Sequence, residues 1–469
     1  MGVAIAKFFQ ARDELSFRNI RIALWPAILV FPLSIIMGNL RYFDHSVALA
    51  GFQAHELTFF ALGAGWLVMA CIPKSLVIRA LYIAALMSAA LMAFQFFMPM
   101  GLWRSLLYIA FRFFTGLSAA GAFYLFCFLL NNVERLFAVA LIQIYYGFFY
   151  LSMMNEASVI RTCHATLTMA LFLAAVFFCR ESRWRKQGLE ISSDSDGKGS
   201  PVPLVIILSS VHYMIMCMTN FIEWTENSVS HIAFAVGIFI SIGLVFVLQM
   251  LKGRNAMYIW LLFLVLSLFG LGILLYDTTA TFISGSLLYG LGDSLGYIIV
   301  IYMCAGAIKR SRSMRMFRLY CAVIFAQYCL ISGLISMYFN RFDSPNKFLA
   351  FGVALVLVSL CLLFMPLIQK KLFDADWTDG LYLRDMDHYV RPLEETETLN
   401  VRDSLNLTPR EEEIFTMLLG GSAPKEIAHT LRISFDTVRF HQKNLYRKLE
   451  IQSIQELFAK YLSKSGGPT

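Results

Sequence analysis

Twelve stretches of about twenty residues, each nearly free of charge, follow one another between residues 21 and 369. No other feature of the chain constrains its fold as strongly. A run of that length, wound at about 1.5 Å per residue, matches the roughly 30 Å of a bilayer's hydrocarbon core. In lipid the backbone must satisfy its own hydrogen bonds, and a helix does so within one segment. The runs predict membrane helices at 21–40, 57–73, 76–98, 105–130, 136–155, 159–179, 202–222, 229–251, 257–276, 280–308, 316–339 and 346–369. Composition agrees, with 58% hydrophobic and 15% charged residues, where soluble domains carry about 25% charge.

Lys and Arg alternate between rich and poor loops, and the basic loops mark the cytoplasmic side. With the N-terminus inside, the inner segments hold 21 cations, while the outer ones hold Arg41, Arg104, Arg161, Arg341 and Lys347. An even number of crossings then puts both termini of a multi-pass protein in the cytoplasm. The start, "MGVAIAKFFQARDELSFRNI", is basic and mildly amphipathic, without the apolar core of a cleaved signal, so residues 1–19 read as an interfacial segment. The nine cysteines lie in the apolar part without metal-ligand spacing and read as small apolar filler.

A polar, Ser- and Gly-rich loop at 181–201 separates six spans (20–180) from six more (202–371). Weak echoes between the parts suggest a repeat: "MGNL" closes the first span and "MTNF" the seventh. The fourth and tenth spans are both Gly-rich, with Gly116 and Gly121 in one and Gly285, Gly290, Gly292 and Gly296 in the other. Small residues at such spacing allow close helix approach. This layout resembles the major facilitator superfamily, whose sites lie between the halves near the midplane. The Gly–Asp–Arg–Arg signature common in that family's loop after the second helix is missing, since the loop here reads "CIPKSLVIRA".

Residues 372–403 form an acidic linker of net charge −6, and from Leu407 the sequence changes character. In "LTPREEEIFTMLLGG", Thr408 is a predicted N-cap, Pro409 the first helical residue and Glu411 the partner in a capping box. Ile414, Leu418 and Leu419 form its buried stripe. A second helix follows in "APKEIAHTL", a third, capped by Ser434, in "SFDTVRFHQKNLYRKL", and a fourth in "SIQELFAKYLSK". At about 100° per residue, Val438, Leu445 and Leu449 share one face of the third helix, and Arg439, Phe440, Lys443 and Arg447 the opposite one. Such a face fits a major groove, where Arg and Lys reach phosphates or guanine and an aromatic ring meets a thymine methyl. By spacing alone, a solvated basic helix remains the alternative.

The pieces L-T-x-R-E, K-E-I-A, I-S-x-x-T-V-[KR]-x-H and K-L make residues 404–469 resemble the LuxR-type (GerE-like) DNA-binding domain. The resemblance implies that Thr437, Arg439, Phe440, Lys443 and Arg447 face double-stranded promoter DNA, while His441 packs or reaches a phosphate. It implies that Lys425 approaches the backbone, and that the fourth helix dimerises through Ile454, Leu457, Phe458 and Tyr461, whose spacing equally fits packing within one domain. RNA polymerase is a further implied partner. Three positions depart from the pattern: Ala423 replaces a Ser or Thr cap, Glu450 replaces a Gly, and Asp436 puts an acid on the DNA-facing side.

Within the spans, Arg112 and Asp293 occupy the corresponding fourth and tenth helices. Intramembrane charges are costly and mark either a site or a mutual pair. The two therefore read as anchors for an aromatic or anionic small molecule, or as an ion pair locking the halves. His212 and Glu223 are weaker candidates for the same ligand. No enzyme motif, cofactor site or metal cluster is read from the sequence. The expected architecture is all-α: a polytopic six-plus-six bundle with a C-terminal helix-turn-helix domain. The expected function is a membrane-embedded one-component transcription regulator that senses a small molecule, with a transporter carrying a regulatory DNA-binding tail as the alternative.

Overall fold

The computed structural model describes residues 24–39, 48–49, 52–99, 101–152, 158–179, 201–218, 228–251, 256–276, 278–311, 313–333, 347–369, 407–419, 424–431, 433–449, 451 and 456. The chain divides into two compact units, Met1–Arg384 and Asp385–Thr469. The interfacial segment 1–19, the loop 181–200, the acidic linker 372–403 and Glu223 lie outside the described residues.

In the first unit, twelve described α-helices of thirteen residues or more fall on the twelve apolar runs. They are α1 (Trp25–Asn39), α2 (Ala54–Cys71), α3 (Val77–Phe97), α4 (Leu102–Phe128), α5 (Asn132–Ser152) and α6 (Ser158–Phe178). After the polar loop come α7 (Val202–Cys217), α8 (Ser228–Leu251), α9 (Ala256–Ile273), α10 (Thr279–Ser311), α11 (Met314–Ala326) and α12 (Lys347–Leu363). A two-residue antiparallel ribbon, Ala48–Leu49 with Phe52–Gln53, precedes α2. Five of these segments, in α3, α4, α8, α10 and α11 with its extension, are long and apolar enough to cross a membrane, and six others are apolar but shorter. The remaining helix, α5, carries Glu134 and Arg135 in its first turn. Asn131 and Glu134 form a reciprocal capping box there: the Asn131 N–H donates to Glu134 Oε2 (2.9 Å) and the Glu134 N–H to Asn131 Oδ1 (2.8 Å).

The neighbours of α7–α12 repeat those of α1–α6. Helix α1 packs on α4, α5 and α6, and α7 packs on α10, α11 and α12. Likewise α4 receives α2 and α3 as α10 receives α8 and α9, while α3 meets α6 as α9 meets α12. Between the halves, α2 packs on α11 and α5 on α8.

Glycines set the tightest of these crossings. A Cβ built on Gly65 of α2 would stand 2.3 Å from the Phe113 carbonyl oxygen and 2.5 Å from the Leu117 nitrogen of α4. One on Gly237 of α8 would stand 2.3 Å from the Leu287 carbonyl oxygen and 2.7 Å from the Leu291 nitrogen of α10. The facing glycines are just as tight, since a Cβ on Gly116 would stand 2.1 Å from Leu62 O and one on Gly290 2.5 Å from Phe234 O. Backbone lies against backbone at both places. Close backbone approach of this kind gains van der Waals contact area between helices.

An aromatic seam joins the halves elsewhere. Phe123 of α4 stacks on Tyr320 of α11 at 4.7 Å, and Trp66 of α2 meets the same Tyr320 edge-on at 6.2 Å. Lys309 of α10 donates to the Leu130 carbonyl beyond α4 (3.3 Å). Helix α11 widens into a π-helix over Gln327–Gly333, a local expansion common at functional positions.

Candidate functional site

The second unit has its own core of Leu407, Ile414, Phe415, Leu418, Ile427, Ala428, Val438, Leu445, Leu449 and Ile451. It contains α13 (Pro409–Leu419), α14 (Pro424–Leu431) and α15 (Phe435–Leu449). The predicted capping box forms: the Thr408 N–H donates to Glu411 Oε2 (2.9 Å) and the Glu411 N–H to Thr408 Oγ1 (3.3 Å). Arg410 clasps α13 to the end of α14, donating from Nη2 to the Leu431 carbonyl (3.0 Å) and pairing with Glu413 (2.5 Å). The Ile433 N–H reaches back to the Ala428 carbonyl (3.0 Å), which closes α14 and sets the turn. Ser434 then starts α15 by accepting the Thr437 N–H (3.1 Å).

Val438, Leu445 and Leu449 of α15 are wholly buried, and Arg439, Phe440, Lys443 and Arg447 are exposed, as the period of the sequence predicts. Arg439, Lys443 and Arg447 recur every four residues, so they form one row along the helix. Among the described residues none of the three has a carboxylate within ion-pair distance. The Arg439 guanidinium lies 5.0 Å over the Phe435 ring, which orients it and leaves its donors outward. Phe440 is 63% exposed on a helix that has a sound core without it, as expected of a side chain kept for a partner. The row borders a groove completed by Gln442, Asn444, Tyr446 and Ile451. Asp436 is exposed in the first turn, where a negative charge suits the helix N-terminus.

Two residues have settled roles. The Thr437 hydroxyl is bonded to Ser434 Oγ (2.7 Å), so it belongs to the cap. Lys448, which sequence reasoning passed over, turns inward to Glu411 Oε2 (2.6 Å). Burial works against ionisation of Glu411, but the Lys448 ammonium and the Thr408 amide and hydroxyl together prevail and hold its carboxyl below the ordinary range. This bond pins the last turn of α15 to the first turn of α13. Its signal, a Glu and a Lys far apart in sequence, is invisible to local spacing. His441 is half-buried. The Lys425 side chain and the fourth-helix residues Ile454, Leu457, Phe458 and Tyr461 lie outside the described residues.

In the first unit, Arg112 and Asp293 do not form an ion pair. Asp293 is met by His212 of α7, whose Nε2 lies 3.2 Å from the Asp293 carbonyl oxygen and 3.5 Å from Oδ1. Arg112 is 6% exposed, and its Nε has no acceptor among the described residues. Tyr213 of α7 and Tyr328 of the π-helix lie within electrostatic reach of its charge. These tyrosines give no sign in the sequence, which holds twenty of them.

A family model described as bacterial regulatory proteins, luxR family, matches residues 405–460. Putative HTH-type transcriptional regulator YhjB of Escherichia coli K12 is 41% identical over 58 residues, 12% of this chain and 29% of that protein. Probable HTH-type transcriptional regulator GfsR of Streptomyces halstedii is 38% identical over 66 residues, 14% and 27% of the two chains. Transcriptional regulatory protein MctR of Rhizobium johnstonii is 49% identical over 45 residues, 10% and 21% of the two. The chain thus spans less than a third of each relative's length, and the similarity falls on the segment that carries α13–α15.

Proposed function

We propose that this protein is a membrane-embedded transcription regulator whose C-terminal unit binds promoter DNA and whose helical bundle senses a small molecule. One observation carries the DNA-binding reading: Arg439, Lys443 and Arg447 stand in a row that has no carboxylate partner among the described residues, beside exposed Phe440. That row lies on the third helix of a small, separately cored domain inside the LuxR-type match. A cationic row on a rigid helix meets phosphates and guanine edges, and an exposed ring meets thymine methyls. Dimerisation through the fourth helix and contact with RNA polymerase belong to the same proposal.

The sensing reading draws on the bundle. The repeated pattern of neighbours in α1–α6 and α7–α12 supports a six-plus-six, major-facilitator-like arrangement of membrane spans. In such an arrangement a ligand held between the halves shifts their packing when it binds one state better than the other. Helix α12 and the linker 372–403 then pass the change to the reader.

The test uses the full-length protein in detergent against a random duplex library, with enriched sequences re-measured over a range of salt. Wild-type protein is expected to select a sequence and to lose affinity steeply with salt. Arg439→Ala is expected to cost about 1–3 kcal/mol at one base position. Lys443→Ala should weaken all sequences alike and reduce the salt slope by about 0.9. Absence of any salt-sensitive duplex binding refutes the proposal.

A further inference from the structure

We propose that Arg112, with Tyr213, Tyr328 and Tyr297, forms a binding site for a small aromatic carboxylate between the two halves of the bundle. This rests on the reading of the bundle as a sensor and names its ligand class. Among the described residues Arg112 is nine-tenths buried, lacks an acceptor at Nε and has no carboxylate within ion-pair distance; the Asp293 carboxylate lies 3.5 Å from His212 instead, with Oδ1 itself unbonded. A buried cation without a counter-ion is costly, and an anion that arrives and leaves removes the cost.

The fold itself does not call for the charge. The glycine crossings put Gly116 and Gly290 at equivalent places. Four residues earlier stand Arg112 in the first half and Ser286 in the second, so the same packing forms with a neutral residue. Asp293, three residues after Gly290, has Ala119 as its counterpart.

The surroundings define the chemistry. Tyr213 and Tyr328 meet edge-on at 5.7 Å, and the Tyr213 hydroxyl is bonded to Ser332 of the π-helix. Tyr297 of α10 continues the wall: it lies 6.2 Å from Tyr146 of α5 and within electrostatic reach of Tyr328 and Asp293. The planar fork of a guanidinium matches a carboxylate with two parallel bonds. Phenol hydroxyls add donors, and the ring walls accept an aromatic body at edge-to-face spacing. Because the residues come from α4, α7, α10 and α11, a bound carboxylate bridges the halves.

The experiment measures thermal unfolding of full-length protein in detergent with 10 mM benzoate or its neutral match benzamide, a concentration of order that stabilises when Kd is about millimolar or below. Benzoate is expected to raise the midpoint of wild type, and benzamide is not. Arg112→Gln should abolish the shift while eluting as a folded protein. Tyr213→Phe, which keeps the ring, should weaken benzoate about tenfold. No shift in wild type, or an equal shift in Arg112→Gln, overturns the site. DNA affinity measured in the same samples separates the two readings. Arg112-dependent benzoate binding without a change in DNA affinity upholds the site and refutes sensing. A benzoate effect on DNA affinity that survives Arg112→Gln upholds sensing and overturns the site.

Discussion

Replacing Gly65 by Ala tests how the bundle is held together, and its size follows from the geometry. The new Cβ would sit 2.3 Å from Phe113 O and 2.5 Å from Leu117 N, both backbone atoms that no rotamer change can move. Ordinary contact needs about 3.4 Å, so α2 and α4 must part by roughly 1 Å. A gap of that order forfeits a quarter to a half of the dispersion energy of the atoms along the crossing. Overpacking of this kind costs about 1–3 kcal/mol, against about 1 kcal/mol regained from Ala over Gly in a helix. The net loss of up to about 2 kcal/mol should lower the unfolding midpoint by up to about 4 °C. Gly237→Ala meets Leu287 O at the same 2.3 Å and should lose as much. Gly243→Ala and Gly352→Ala, whose Cβ atoms meet nothing within 4 Å, are the controls and should be neutral or slightly stabilised. A thiol-reactive fluorophore can follow unfolding in detergent, since of the eight free cysteines described only Cys71 is exposed. If Gly65→Ala and Gly237→Ala unfold like the controls, the close crossings are wrong. If only one of them falls, the repeat is wrong.

The C-terminal unit gives a pH prediction. The folded carboxyl of Glu411 titrates below its ordinary 4.5, so its contribution to stability is fully present above about that pH and is lost as pH falls through the lower folded value. Glu411→Gln should therefore destabilise the unit at neutral pH by about 1 kcal/mol, the scale of a lost cap, with the difference shrinking as pH falls below the ordinary carboxylate range; chemical denaturation in a pH series from neutral into acid checks it. Arg410→Ala should loosen the α13–α14 clasp by about 1 kcal/mol, two neutral-carbonyl and surface-pair contacts being lost, seen as faster amide exchange in α14. Neutralising the acids of 372–403 should raise basal DNA affinity if the linker masks the Arg439 and Lys443 face, and unchanged affinity would discard masking.

Much of this protein was legible in one dimension. Twelve apolar runs fall on twelve helices, the form in which a buried backbone closes its hydrogen bonds within one segment. The tail's caps and its core face at Val438, Leu445 and Leu449 were readable for a related reason: each depends on residues three or four apart, a distance the helix itself sets. Which helices touch was not readable. Gly116 and Gly290 stood out as small residues, but their partners Leu62 with Gly65 and Phe234 with Gly237 emerged only from the packing. The same holds for the charges. Asp293 went to His212 rather than Arg112, and Lys448 went to Glu411. Contacts between residues far apart in sequence depend on the rotation and depth of each helix in the assembly, and no short-range pattern encodes those.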